Sequence, residues 1–153
     1  MERLSTKDQS PLNDEEIAAF REWIKERQEP KNIIIGMSGA SGAQYGIRLL
    51  EVLHGMEGFK THLVVSENTR LITKHEMGLS DEEHEAKMNL ATVRYGYHQM
   101  EAAISSGSFK SEGMIVIPCS VKTLEQIAHA NDENLISRAA FCTLKEHRRL
   151  VVV

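Results

Sequence analysis

The triplet Ile33-Ile34-Ile35, set between Pro30 and a loop of small residues, constrains this chain more than any other feature. A continuous β-branched run has no polar face, so it forms a strand covered on both sides, as in a parallel sheet. The pattern returns three times: residues 61–66 with Leu63-Val64-Val65, residues 114–117 stopped by Pro118, and residues 150–153. Between these strands, helices are expected over 43–54 (ended by Gly55), 68–76, 123–129 and 135–146. Ser80 with Glu83 makes a capping box that opens a charged surface helix, and residues 100–105 look helical. Strands alternating with helices predict an α/β domain, an open parallel sheet with helices on both faces.

Ahead of the first strand the pattern differs. Residues 1–12 are a polar lead, expected to be disordered. Asn13 with Glu16 then caps a helix whose Ile17, Phe20, Trp23 and Ile24 share one face, until Pro30 stops it. The expected organisation is an N-terminal extension over 1–30 with one amphipathic helix, packed on the domain or on a neighbouring subunit. The domain proper follows over 31–153. Because the chain stops on an apolar strand, the C-terminal part of that domain is expected to be missing from these 153 residues.

Charge and composition narrow the function. A net charge of −4 argues against a nucleic-acid surface, which needs a basic patch to displace counterions. No apolar run approaches the roughly 20 residues that span a bilayer. The N-terminus carries more acids than bases and no apolar core of a signal peptide, so the expected location is the cytoplasm, with mitochondria open for a eukaryotic source. Cys119 and Cys142 stand alone and the seven histidines are scattered, so neither a disulfide scaffold nor a metal site is expected.

In open α/β sheets ligands bind at the carboxyl ends of the strands. Three loops there are rich in small and hydroxyl residues: 36–42 (GMSGASG), Ser66-Glu67-Asn68, and 118–123 (PCSVKT). The first is not the dinucleotide fingerprint, since Ser38 stands where its second glycine belongs, and no Gly-Lys-Ser/Thr follows to make a P-loop. Two readings remain: a site for a mononucleotide phosphate bonded by backbone amides and serine hydroxyls, or a tight turn packing helix on strand. In the third loop Ser120 or Thr123 serves as a helix cap, or its hydroxyls and Lys122 meet a flavin's polar edge; Cys119 shows no paired base. Arg138, Lys145, Arg148 and Arg149 along the last helix are dipole partners unless some turn inward. A lone Glu76 is by default solvated.

These stretches resemble the UbiX-type flavin prenyltransferases. The matching segments are 35–50 (IGMSGASGAQYGIRLL), 61–66 (THLVVS), 104–109 (ISSGSF), 113–124 (GMIVIPCSVKTL) and 137–150 (SRAAFCTLKEHRRL). They span 31–153 in order and leave the first 30 residues outside. The resemblance implies a Rossmann or flavodoxin-like fold assembled as a dodecamer, with sites between subunits. It implies transfer of a dimethylallyl group from dimethylallyl phosphate to N5 and C6 of reduced FMN, without metal, and a product that serves a UbiD-type decarboxylase in ubiquinone synthesis or aromatic-acid decarboxylation. By the same resemblance, FMN contacts fall on Gly39, Ala40, Ser41, Ser66, Ser120, Val121, Lys122 and Thr123. Ser41 and Glu76 would lie near the reacting flavin and prenyl group, and Ser106, Arg138 and Lys145 around the prenyl-phosphate pocket, with Lys145 joining Ser41 and Glu76 as the catalytic set. The family continues its last strand into Pro-Arg-Glu, with a later tyrosine and basic residue gripping the substrate phosphate. Phe141 stands where the family usually has Asp. Two alternatives are an FMN-dependent cysteine decarboxylase of the same fold and a truncated, non-catalytic flavin-binding paralogue.

Overall fold

A computed structural model describes residues 13–27 and 29–153, with the backbone alone for 22–27. The elements run α1 (Asp14–Arg27), β1 (Lys31–Met37), α2 (Ala43–His54), β2 (Phe59–Val65), α3 (Thr69–Met77), α4 (Asp81–Met88), β3 (Val93–Tyr95), β4 (Gly113–Val116), α5 (Val121–Ala128), α6 (Leu135–Lys145) and β5 (Arg149–Val152). The strands form one sheet in the order β3-β2-β1-β4-β5, and every pairing is parallel. This is the flavodoxin-like arrangement the resemblance implied.

Successive strand residues point to opposite faces, so the isoleucine run feeds two cores at once. Ile34 joins Val64, Met114 and Val116 against Leu135, Ile136, Ala139 and Ala140 of α6. Ile35 and Met37 join Leu63 against Ile47, Leu50 and Leu53 of α2 and Met88 of α4. The sheet is therefore sandwiched, which explains why β1 has no polar face. The Ser80–Glu83 capping box is formed in both directions, and so is the Asn13–Glu16 pair at the start of α1. Residues 1–12 and the side chains of Trp23 and Ile24 lie outside the described residues.

Three expectations need correction. A fifth strand, β3, was not foreseen; it is three residues long and pairs only with β2, so it carries almost no periodic signal. Residues 100–105 do not form an α-helix but a turn closing into a single 3-10 turn, Ala103–Ser105. The final strand is present but not buried: it is an edge strand, and Val151 and Val152 are 40% and 38% exposed because no described element covers them.

One buried polar cluster makes the fold sensitive to acid. His62, 4% exposed on β2, bonds the Tyr95 hydroxyl through Nδ1 at 2.9 Å and Asn32 Oδ1 through Nε2 at 3.0 Å. Asn32 points its amide Nδ2 at the Lys110 carbonyl, so Oδ1 must accept; Nε2 carries the imidazole proton and Nδ1 accepts from tyrosine. Burial, helped by the Lys60 charge, pushes the His62 pKa down from 6.5 to about 4. The unfolded chain therefore takes up a proton first as pH falls, so the contribution is whole above 6.5 and drains away towards 4. Stability is expected to drop by about 2 kcal/mol between pH 7.5 and pH 5 from this group, with His84, also buried and lowered, adding in the same direction. Urea midpoints across that range should flatten in a His62→Gln variant. An unchanged slope would remove His62 as the cause.

Candidate functional site

Chain order places β2 on one side of β1 and β4 on the other, so the sheet's switch point lies at the carboxyl end of β1. The loops after β1, β2 and β4 meet there around a cleft of about 370 Å3. Ser38 ties two of them together: its buried Oγ donates to the Pro118 carbonyl at 2.9 Å and accepts from the Ser120 amide at 2.7 Å. Thr69, fully buried, donates to the Met37 and Ser38 carbonyls at 3.2 and 3.3 Å and lies 3.1 Å from the Ser66 hydroxyl. Gly39 is required by this closeness, since a Cβ there would stand 2.6 Å from Asn68 Cβ.

On the β4 side, Ser120 caps α5, accepting from the Thr123 amide at 3.2 Å and meeting the Thr123 hydroxyl at 2.9 Å. Lys122 is the only cation among the residues lining the cleft, whereas Val121 is 83% exposed. Gly39, Ser66, Ser120, Lys122 and Thr123, all expected to contact cofactor, thus line one cleft.

Ser41 and Glu76 also come together. The Glu76 carboxylate accepts from the Gly42 amide at 3.0 Å, and the Ser41 hydroxyl and Ala43 amide lie near enough to favour its charged form. Those donors, the Gly42 amide foremost, hold its carboxyl below the usual range. The default reading of Glu76 as solvated is therefore incomplete: it is exposed, yet it fills the anion position at the start of α2.

Ser106, Arg138 and Lys145 do not join this group within one chain. Helix α6 starts near the cleft, where the Leu135 amide donates to the Tyr97 carbonyl at 2.9 Å, and runs back to the strand starts. Arg138 is paired with Asp132 and donates Nε to the Ser105 carbonyl at 3.1 Å. The Ser106 hydroxyl meets that of Ser108 at 2.9 Å, and Lys145 lies exposed at the far end of α6, 3.7 Å from Glu146.

The family model described as Flavoprotein matches residues 22–153. The chain belongs to the flavoprotein family. Among its relatives, a probable UbiX-like flavin prenyltransferase of Streptomyces sp. (strain D7) is 47% identical over 121 residues, covering 79% of this chain and 59% of that one. The solved structure of AnUbiX (PadA1) in complex with FMN and dimethylallyl pyrophosphate is 41% identical, with a TM-score of 0.75, over 81% of this chain and 64% of that one. The dodecameric FMN-dependent Ubix-like decarboxylase from Escherichia coli O157:H7 is 42% identical, with a TM-score of 0.75, over 80% and 65%. The flavoprotein thus spans about three fifths of the length of the curated relatives it matches. Likeness to the FMN-dependent cysteine decarboxylase TvaF, at 9% identity and a TM-score of 0.59, extends to the fold alone.

Sequence reasoning missed two residues lining the flavoprotein's cleft, Tyr97 and Gln126. The alternation Val93-Arg94-Tyr95 leading into Tyr97 was the available signal for the first, and its brevity hid it. Gln126 sits on α5 and is held by Asn134 Nδ2 and by Glu133, contacts that no spacing rule announces. Burial pushes the Cys119 thiol up, and its Sγ donates weakly to the Ser120 carbonyl at 3.5 Å.

Proposed function

We propose that this flavoprotein binds FMN across the tips of β1, β2 and β4 and is a flavin prenyltransferase. The observation that carries the reading is the convergence of three small, hydroxyl-bearing loops on one cleft with a single lining cation. Those donors suit the group: amides and hydroxyls for a flavin's polar edges, and Lys122 with the α5 start for its phosphate. The start of α2 is a poorer phosphate seat, because the Glu76 carboxylate already holds it. Identity of 41% to a relative solved with FMN and dimethylallyl pyrophosphate supports both ligands.

When bound and reduced, the flavin supplies the N5 and C6 positions that take up the dimethylallyl group as its bond to phosphate breaks. The chain's own part is electrostatic and positional. Glu76, its charge favoured by the Gly42 amide and by Ser41, would stay ionised beside the ligand. Arg138, Lys145 and Ser106 offer cations and a hydroxyl for a departing phosphate. They lie apart from Ser41 and Glu76 in one chain, so they would serve the cleft of a neighbouring copy, in a homo-oligomer such as the dodecameric relative. The domain is read as residues 31–153, with 1–30 an appended segment. The product would pass to a UbiD-type decarboxylase. Both cysteines are free, which fits a reducing cytoplasm, and no described helix is long and apolar enough to cross a membrane.

The test incubates the full product of the gene anaerobically with reduced FMN and dimethylallyl phosphate or diphosphate. Mass spectrometry should find the flavin heavier by one C5 unit. Bound FMN without that product would leave a flavin-binding paralogue, and no bound flavin would end the reading.

A further inference from the structure

We infer that Tyr97 binds the flavin through its phenol, at the end of the cleft away from the phosphate; this rests on the FMN reading above. Tyr97 follows β3, outside the three loops already described, yet its side chain lines the same cleft. Its direction is set by the fold: the carbonyl accepts from the Leu135 amide at the start of α6, the ring packs on the core, and His98 meets it edge-on at 4.8 Å.

The other hydroxyls around the cleft already have a partner within the protein, with one O–H of the Ser120–Thr123 pair left over to donate. Ser38 bonds Pro118 and Ser120, Ser66 meets Thr69, and Ser120 meets Thr123. The Tyr97 phenol alone has no hydrogen-bond partner among the described residues. That hydroxyl is not sealed from solvent, so it is free to meet a ligand in the cleft that Tyr97 lines. Burial, then the Glu67 and Glu133 carboxylates, push its pKa up, so it remains a protonated donor.

The Glu67 carboxylate decides which part of the ligand it meets. A phosphate dianion beside Glu67 would be repelled, whereas Lys122 offers the opposite charge. The phosphate therefore goes to Lys122 and the start of α5, and the Tyr97 O–H donates to a ring carbonyl or ribityl oxygen. That contact is common to FMN and riboflavin.

The two flavins separate the roles. Titrations of FMN and of riboflavin, read by quenching of flavin fluorescence, are compared for the wild type, Tyr97→Phe and Lys122→Gln. Phenylalanine keeps the ring, so the thermal midpoint should hold. Loss of one neutral hydrogen bond should raise both dissociation constants by the same factor, about 3- to 10-fold. Lys122→Gln should weaken FMN and leave riboflavin where it was. Wild-type affinities retained in Tyr97→Phe would overturn the inference, and so would a loss confined to FMN, which would put the phenol on the phosphate. A wild type that binds neither flavin would overturn the FMN reading itself and this inference with it.

Discussion

Replacing Gly46 by alanine is expected to lower the unfolding free energy by about 3 kcal/mol and the thermal midpoint by roughly 10 °C. Helix propensity alone says the reverse, since alanine in a helix interior is favoured over glycine by about 1 kcal/mol. Packing wins here because of what the new methyl meets. A Cβ on Gly46 would stand 2.6 Å from the Ile117 carbonyl oxygen and 2.7 Å from Met37 Cε. The methionine end can swing away, but a main-chain oxygen in the turn after β4 cannot, so α2 would have to lift off the sheet. Gly46 is one turn from Gly42, and that shift would also pull the Gly42 amide away from Glu76. Circular dichroism melts settle the sign: a Gly46→Ala protein as stable as the parent, or more so, would show that the close approach of α2 to the β4 loop is not real.

If the protein is the flavin prenyltransferase proposed above, Glu76→Gln should slow prenyl transfer at least about 100-fold while leaving flavin affinity nearly unchanged. Glutamine matches the shape and can still accept from Gly42, but it removes the charge and presents an NH2 on the other side, towards Ser41 and Ala43. If the carboxylate merely caps α2, only the thermal midpoint should move, and modestly, as exposed caps do. Single-turnover formation of the prenylated flavin under anaerobic conditions distinguishes the two. The pH profile adds a second check: with its carboxyl held below the usual range, Glu76 should impose no acid limb while the fold is intact. A rate loss of only a few-fold would reduce Glu76 to a helix cap.

Much of the fold was legible because its signals are local. The isoleucine run required a doubly covered strand, Gly55 ended a helix, and the Ser80–Glu83 and Asn13–Glu16 boxes lie three residues apart and formed as read. The loops that line the cleft were legible for the same reason, since Ser38–Gly42, Ser66–Asn68 and Ser120–Thr123 each sit directly behind a readable strand. Strand β3 was not, because three residues at a sheet edge leave periodicity nothing to repeat.

Residue types, their short-range spacing and the order of elements were thus enough to specify a parallel α/β sheet with small-residue loops at its strand tips. Tertiary structure alone decided who meets whom across the chain: Glu76 reaches Gly42 over 34 residues, Ser38 reaches Pro118 over 80, and Arg138 reaches the Ser105 carbonyl over 33. Hydrogen bonding and backbone propensity act between near neighbours and leave a trace in sequence spacing. Contacts between distant residues depend on how two faces of a sheet bury their apolar side chains, and that is settled only when the whole core packs.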